Sequence, residues 1–190
     1  MFCTLSVPLR RLSATDYRAV RMMDRDAFVA RFGGIFEASP WIAEAAWEGG
    51  PYASAAALYA AMVAIVDGAP REARHDLIRA HPDLAGKAAI AGTLTPESTR
   101  EQAAAGLDRL TPQQHARILE LTAAYRERFG FPFVICAREH TAGSMIAVAT
   151  ERLTHDPAAE ERTALAEIAK IAALRLADLS TDDVPGGTPA

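Results

Sequence analysis

The 190-residue chain is poor in cysteine, has no long apolar run and carries no lysine-rich stretch. Its two cysteines, Cys3 and Cys136, stand far apart, which excludes a stapled disulfide scaffold and fits a reducing compartment. Arg, Glu or Asp interrupts every apolar stretch before it reaches the roughly 18 residues a spanning helix needs. A soluble, cytoplasmic chain with no membrane partner is therefore expected. The absence of a C-terminal Ser-Lys-Leu fits the same setting. A net charge of -4 without a basic run lacks the footprint of a protein that grips nucleic acid. Strand-like alternation is nearly absent and no internal repeat is visible, which argues against sheets and solenoids. Small neutral or anionic ligands remain open.

What is present is half hydrophobic and 23% charged, enough for a full-sized core. Alanine is abundant and apolar residues recur at three and four, the period of a helix. The expected fold is all-α: a single compact helical domain of about eight helices with one short extended apolar segment. That domain should span residues 22–180, after a loose Arg-bearing arm over 1–21 and before a mobile Pro- and Gly-rich tail over 181–190. Asp24 can cap a helix over 25–32 that stops at Gly33-Gly34. Ser39-Pro40 reads as cap and first residue of a helix through Trp47. Further helices are expected over 54–66 and 70–80. Thr95-Pro96 and Thr111-Pro112 are two more starts, the second completed by Gln114 as a capping box. Gly130 should end that helix, and the last two should cover 141–152 and 158–179. Between them, residues 131–137 (FPFVICA) form the extended exception. Trp41, Trp47 and Tyr52 should pack the first helices.

Three constellations bear on chemistry. Pro82 disfavours α geometry at His81, so the chain must turn extended there and the imidazole sits at a helix end. It can serve either as a C-terminal cap or in proton transfer. Ser98, Glu101 and Gln102 fall at i, i+3 and i+4 within the first turns after Thr95, so a hydroxyl, a carboxylate and an amide share one face. That pattern also suits a solvated helix start. Arg175 leaves an apolar face formed with Ile171, Ala172 and Leu179, and needs an anion: Asp178 at i+3, or a ligand. Cys136 reads as a small core residue. Gly86-Lys87 is no phosphate loop, Gly143-Ser144 is no nucleophile elbow, and the remaining histidines lack the close pairing of a zinc site, so no metal is expected.

Together these segments resemble the 2-oxo-4-hydroxy-4-carboxy-5-ureidoimidazoline (OHCU) decarboxylase family. The matching blocks are residues 32–47 (FGGIFEASPWIAEAAW), 81–88 (HPDLAGKA), 94–110 (LTPESTREQAAAGLDRL), 125–138 (YRERFGFPFVICAR) and 167–179 (EIAKIAALRLADL), in the family's order. The resemblance implies an all-helical homodimer that acts on a small molecule without metal or organic cofactor. It makes His81 the catalytic acid or base and Glu101 its partner. It implies substrate contacts from Pro82, Ser98, Thr99, Arg100, Gln102, Phe133, Val134, Ile135, Cys136, Ala137 and Arg175. The sequence departs from the family at Ala38, where relatives commonly show His, and at Thr122, where Asn is common. The implied chemistry is self-consistent, because a ring C=N beside the departing CO2 can delocalise the electron pair without a cofactor. Two rival readings remain at this point: a metal-dependent hydrolase using His81, Asp83 and Glu101, and a non-catalytic helical module with a groove at FPFVICA.

Overall fold

The structure, a computed structural model, describes residues 20, 22–86 and 93–182. The expected N-terminal arm and C-terminal tail lie outside the described residues, apart from Val20 and residues 181–182, which extend the last helix. Lys87 and Ala88 also lie outside them.

Eight α-helices are described: α1 (Arg25–Phe32), α2 (Trp41–Gly49), α3 (Ala55–Gly68), α4 (Arg71–Ala80), α5 (Pro96–Ala104), α6 (Pro112–Phe129), α7 (Ala142–Arg152) and α8 (Pro157–Asp182). A single 3-10 turn, Ala137–Glu139, precedes α7. No strand occurs among the described residues, and none of the described helices is long and apolar enough to cross a membrane. Most starts follow from side chains that satisfy orphan backbone N-H groups. Asp24 accepts from Ala27 N at 2.8 Å, and Ser54 accepts from Ala57 N at 3.1 Å. Thr111 and Gln114 exchange both bonds of a capping box, at 3.0 and 3.2 Å. Gly130, at φ 76°, takes the left-handed conformation that ends α6. The start of α2 departs from the expected one. Pro40, already in helical geometry, occupies the cap position without a side-chain bond, while Ser39 is buried one residue outside it.

By internal contacts the chain divides into two compact units. The first comprises the residues up to Pro70 and those from Ala169 onward. Here α1 packs on α2 and α2 on α3, around Phe28, Phe32, Ile42, Leu58 and Met62. Ala172 and Leu176 of α8 are buried, and the Tyr59 hydroxyl donates to Ala169 O at 3.1 Å. Trp47 differs from its expected core role: it is 39% exposed, with its indole N-H 3.4 Å from Met23 O.

The second unit, residues 71–168, holds α4 to α7 and the first half of α8. Its core contains Leu77, Ile78, Tyr125, Phe131, Phe133, Met145 and Ile168. Burying one such side chain contributes about 1.5–3 kcal/mol, against about 1 kcal/mol for a helix cap. Packing thus fixes where each helix lies, while the caps fix where it begins.

Candidate active site

In the second unit, α4 ends at Ala80, one residue before the His81-Pro82 pair that forbids its continuation. His81 is buried, and its N-H still closes the last turn onto Ile78 O at 3.2 Å. Its Nδ1 lies 2.9 Å from Leu77 O. A carbonyl only accepts, so Nδ1 carries the hydrogen, and in the neutral ring Nε2 holds the lone pair that exchanges a proton. The helix-end role and the proton-transfer role foreseen for this residue do not compete for one atom, since the helix end engages Nδ1 and not Nε2.

The loop after His81 is held from two helices. Asp83 takes both oxygens to Arg126 Nε of α6, at 2.9 and 3.0 Å. Gln102 of α5 accepts from Ala85 N at 3.1 Å and donates to Asp83 O at 3.4 Å. Ala85 sits at φ 49°, a left-handed geometry that the two flanking bonds help to hold. Thr95 starts α5 by accepting from Ser98 N at 3.2 Å. Around that helix the side chains separate: Ser98 and Gln102 are buried, Glu101 is half-buried, and Thr99 and Arg100 are exposed. The Thr99 hydroxyl donates to Thr95 O at 3.0 Å, and Arg100 pairs with Glu97 at 3.0 Å. The i, i+3, i+4 set therefore shares one side of α5, and its two exposed neighbours engage their own helix.

Residues 133–137 are extended until the 3-10 turn begins, and all five are buried. The 3-10 turn packs on α5. Phe133 and Leu84, from the loop after His81, line one small apolar cavity together with Thr122 of α6. The segment is pinned by charged side chains that sequence reasoning did not single out. Arg152 Nη1 donates to Val134 O at 2.8 Å, and Glu167 accepts from Cys136 N at 2.8 Å. Arg152 in turn donates through Nε to Glu160 at 3.0 Å and through Nη2 to the Tyr125 hydroxyl at 3.2 Å. Tyr125 donates to Glu160, and His155 Nδ1 stands 2.9 Å from the same carboxylate. Arg152, Glu160 and Tyr125 thus satisfy one another in the interior, as buried charge requires, with half-buried His155 at their edge. Glu167 carried a sequence signal, a carboxylate in step with Ile168 and Ile171 on an apolar helix, whereas Arg152 carried none.

Arg175 belongs to the first unit. Its anion is Glu37, at 2.8 Å, with Gly34 O 3.3 Å from the other terminal nitrogen. Both side chains of the pair are 5% exposed. The first unit also contains a cavity of about 330 Å³ lined by Val20, Met23, Phe28, Trp47 and Tyr52 among others; neither His81 nor Glu101 lines it. Cys136 is a buried free thiol. Among the described residues no three His, Cys, Asp or Glu side chains converge as a metal site would need.

What this arrangement can do is exchange a proton at His81 Nε2, offer the carboxylate of Glu101 from the helix tied to the same loop, and present peptide groups along an extended edge. Comparison with known proteins adds the following. A family model described as OHCU decarboxylase matches residues 21–177. A 2-oxo-4-hydroxy-4-carboxy-5-ureidoimidazoline decarboxylase of Mus musculus is 44% identical over 164 residues, covering 86% of this chain and 92% of that one. The corresponding protein of Amia calva is 42% identical, covering 86% of this chain and 94% of that one. Among solved structures, an (S)-allantoin synthase superposes with a TM-score of 0.69 at 28% identity, over 86% of this chain and 53% of the other.

Proposed function

The chain belongs to the OHCU decarboxylase family, and from that premise we propose how its own residues carry the reaction. The protein decarboxylates 2-oxo-4-hydroxy-4-carboxy-5-ureidoimidazoline to (S)-allantoin, a step of urate degradation. The bond to the carboxyl carbon breaks, and its electron pair moves into the ring, where the adjacent C=N nitrogen takes up a proton. The 4-hydroxyl then gives up its hydrogen as the carbonyl forms, and the neighbouring ring carbon receives one from a single face. That last delivery sets the (S) configuration. The protein must therefore orient the anion, accept the hydroxyl proton and see one proton delivered to the ring nitrogen and one to the ring carbon, a net uptake of one.

His81 and Glu101 are the proposed acid-base pair. The observation that carries this reading is the Nδ1 contact of His81 with Leu77 O, which in the neutral ring puts the hydrogen on Nδ1 and the lone pair on Nε2, next to a loop that Gln102 ties to the helix bearing Glu101. Ser98, Gln102, Pro82 and the peptide groups of residues 133–137 are the proposed substrate contacts, oriented to stabilise developing charge on oxygen. Thr99 and Arg100 follow only from family position, and their exposure argues for a peripheral part. Arg175 is proposed, on the same family basis, to bind an anionic oxygen of the substrate. A homodimer in the cytoplasm is the proposed assembly and setting.

The test uses OHCU generated in situ from urate, with the appearance of optical activity followed by circular dichroism. His81→Ala or Glu101→Gln should lower turnover by at least about a hundredfold with the fold intact, the usual scale for a lost general acid or base. Near-normal turnover in either variant removes that residue from the mechanism. Wild-type protein that leaves the spontaneous rate unchanged overturns the whole reading.

A further inference from the structure

The extended segment that the proposed function assigns to substrate has an uneven hydrogen-bond pattern. Val134 O is taken by Arg152 and Cys136 N by Glu167, both at 2.8 Å. Farther on, Cys136 O and Ala137 O accept from Glu139 N and His140 N, both at 3.0 Å, and so close the 3-10 turn. Between these anchors, the peptide N-H and C=O of Ile135 make no hydrogen bond among the described residues, although Ile135 is only 3% exposed. Buried backbone groups are almost always paired, with protein, water or ligand. Phe133 N-H and C=O and Val134 N-H likewise make no hydrogen bond among the described residues, so the strip offers a run of peptide groups to a partner bearing its own N-H and C=O, and those of Ile135 are the ones that lie between the two side-chain anchors.

We infer that Glu167 and Arg152 are positioning residues for this reaction: by gripping the peptide groups on either side of Ile135 they fix the orientation in which its N-H and C=O meet the ring and ureido groups of the substrate. Neither side chain is assigned to touch the reacting atoms. The work is geometric, and both clamps are charge-assisted, the stronger class of hydrogen bond. Arg152 is itself immobilised by Glu160 and Tyr125, so the clamp is fixed before any ligand arrives. The inference rests on the proposed use of residues 133–137 in binding.

Glu167 provides the cleaner test, because reach and charge can be varied separately. Glu167→Gln loses the charge and keeps an oxygen at the same distance to accept the Cys136 N-H. Glu167→Asp keeps the charge and falls one methylene short. In the full-length chain, with folding checked by thermal melting, Glu167→Asp and Glu167→Ala should raise KM for OHCU at least about tenfold with kcat within about threefold, while Glu167→Gln stays within about threefold of wild type. A general stability role would not separate KM from kcat in this way, nor would it favour the uncharged variant over the charged one. In wild-type protein, (S)-allantoin should slow amide hydrogen exchange at Ile135, and in Glu167→Asp that protection should be lost. Wild-type KM in a folded Glu167→Asp overturns the inference, as does a KM in Glu167→Gln raised as far as in Glu167→Asp. The two levels of failure are distinguishable. An inactive wild type strikes the proposed function itself. An active wild type in which (S)-allantoin leaves Ile135 exchange unchanged strikes only the role of this segment, and the clamp with it.

Discussion

Ala38 and Glu37 show how much a single residue can carry without announcing it. Ala38 is exposed and sits at φ 44°, the left-handed region, between two buried neighbours, Glu37 and Ser39. A Cβ there costs about 1–2 kcal/mol, and glycine removes that strain at an entropic penalty of about 0.5–1 kcal/mol. Ala38→Gly should therefore raise the unfolding free energy by up to about 1 kcal/mol, seen as a higher urea midpoint at unchanged slope. The conformation also gives meaning to the family departure at this position, since histidine enters the left-handed region more readily than alanine. Glu37 is the opposite case, a residue whose partner lies 138 positions away, with Arg175 as its pair at 2.8 Å. Sequence reasoning recognised that Arg175 needed an anion and offered either Asp178, one turn away, or a ligand. Nothing local could have pointed across that distance. Glu37→Ala takes a carboxylate from a buried guanidinium and should cost about 3–5 kcal/mol in equilibrium urea unfolding.

At the scale of elements, what was legible is what is local. Thr95-Pro96 and Thr111-Pro112 were readable because a cap and its N-H partner lie three residues apart, and both capping bonds are present. The break at His81-Pro82 was readable because proline restricts the residue before it. The ties between elements were not. Gln102 reads as a polar residue near a helix start, yet its amide bridges to a loop 17 and 19 residues earlier. Both ends of that amide are used, with oxygen accepting from Ala85 N and nitrogen donating to Asp83 O. A carboxylate at this position keeps the acceptor and loses the donor, and so sets a second acceptor against the Asp83 carbonyl. Gln102→Glu should accordingly lower kcat/KM by at least about tenfold, through displacement of the loop that carries His81, in a protein whose far-ultraviolet dichroism is unchanged. Equal activity in this variant would mean that His81 keeps its place without the α5 tether.

For the whole molecule, periodicity and composition sufficed to read an all-helical chain, because the helical period is repeated in every segment. Which charged side chains end up inside was not readable, because it depends on partners brought from far along the chain. Glu161 illustrates this and makes a testable statement about acid stability. Near the start of α8, it receives Arg71 at 3.2 Å, Arg74 at 3.3 Å and His75 at 3.0 Å, all from α4. Burial by itself would push its carboxyl up, but the bonds from His75, Arg71 and Arg74 prevail and hold it below the usual 4.5. In the unfolded chain the carboxyl returns to its ordinary value, so the sign is fixed. Above 4.5 both states are ionised, and the cationic partners contribute their full stabilisation. As pH falls below that value, the unfolded chain takes up a proton that the folded one still refuses, and the contribution drains away until the folded carboxyl also protonates. The difference in unfolding free energy between wild type and Glu161→Gln should therefore shrink as pH falls below about 4.5. Its partner histidine refines the expectation: His75→Gln removes one of the bonds that depress the carboxyl, so the acid loss should still begin near the ordinary carboxyl value but be smaller and end at a higher pH than in wild type. A difference that stays constant from about pH 5 down to about pH 3 would mean that Arg71, Arg74 and His75 do not hold Glu161 in its ionised form.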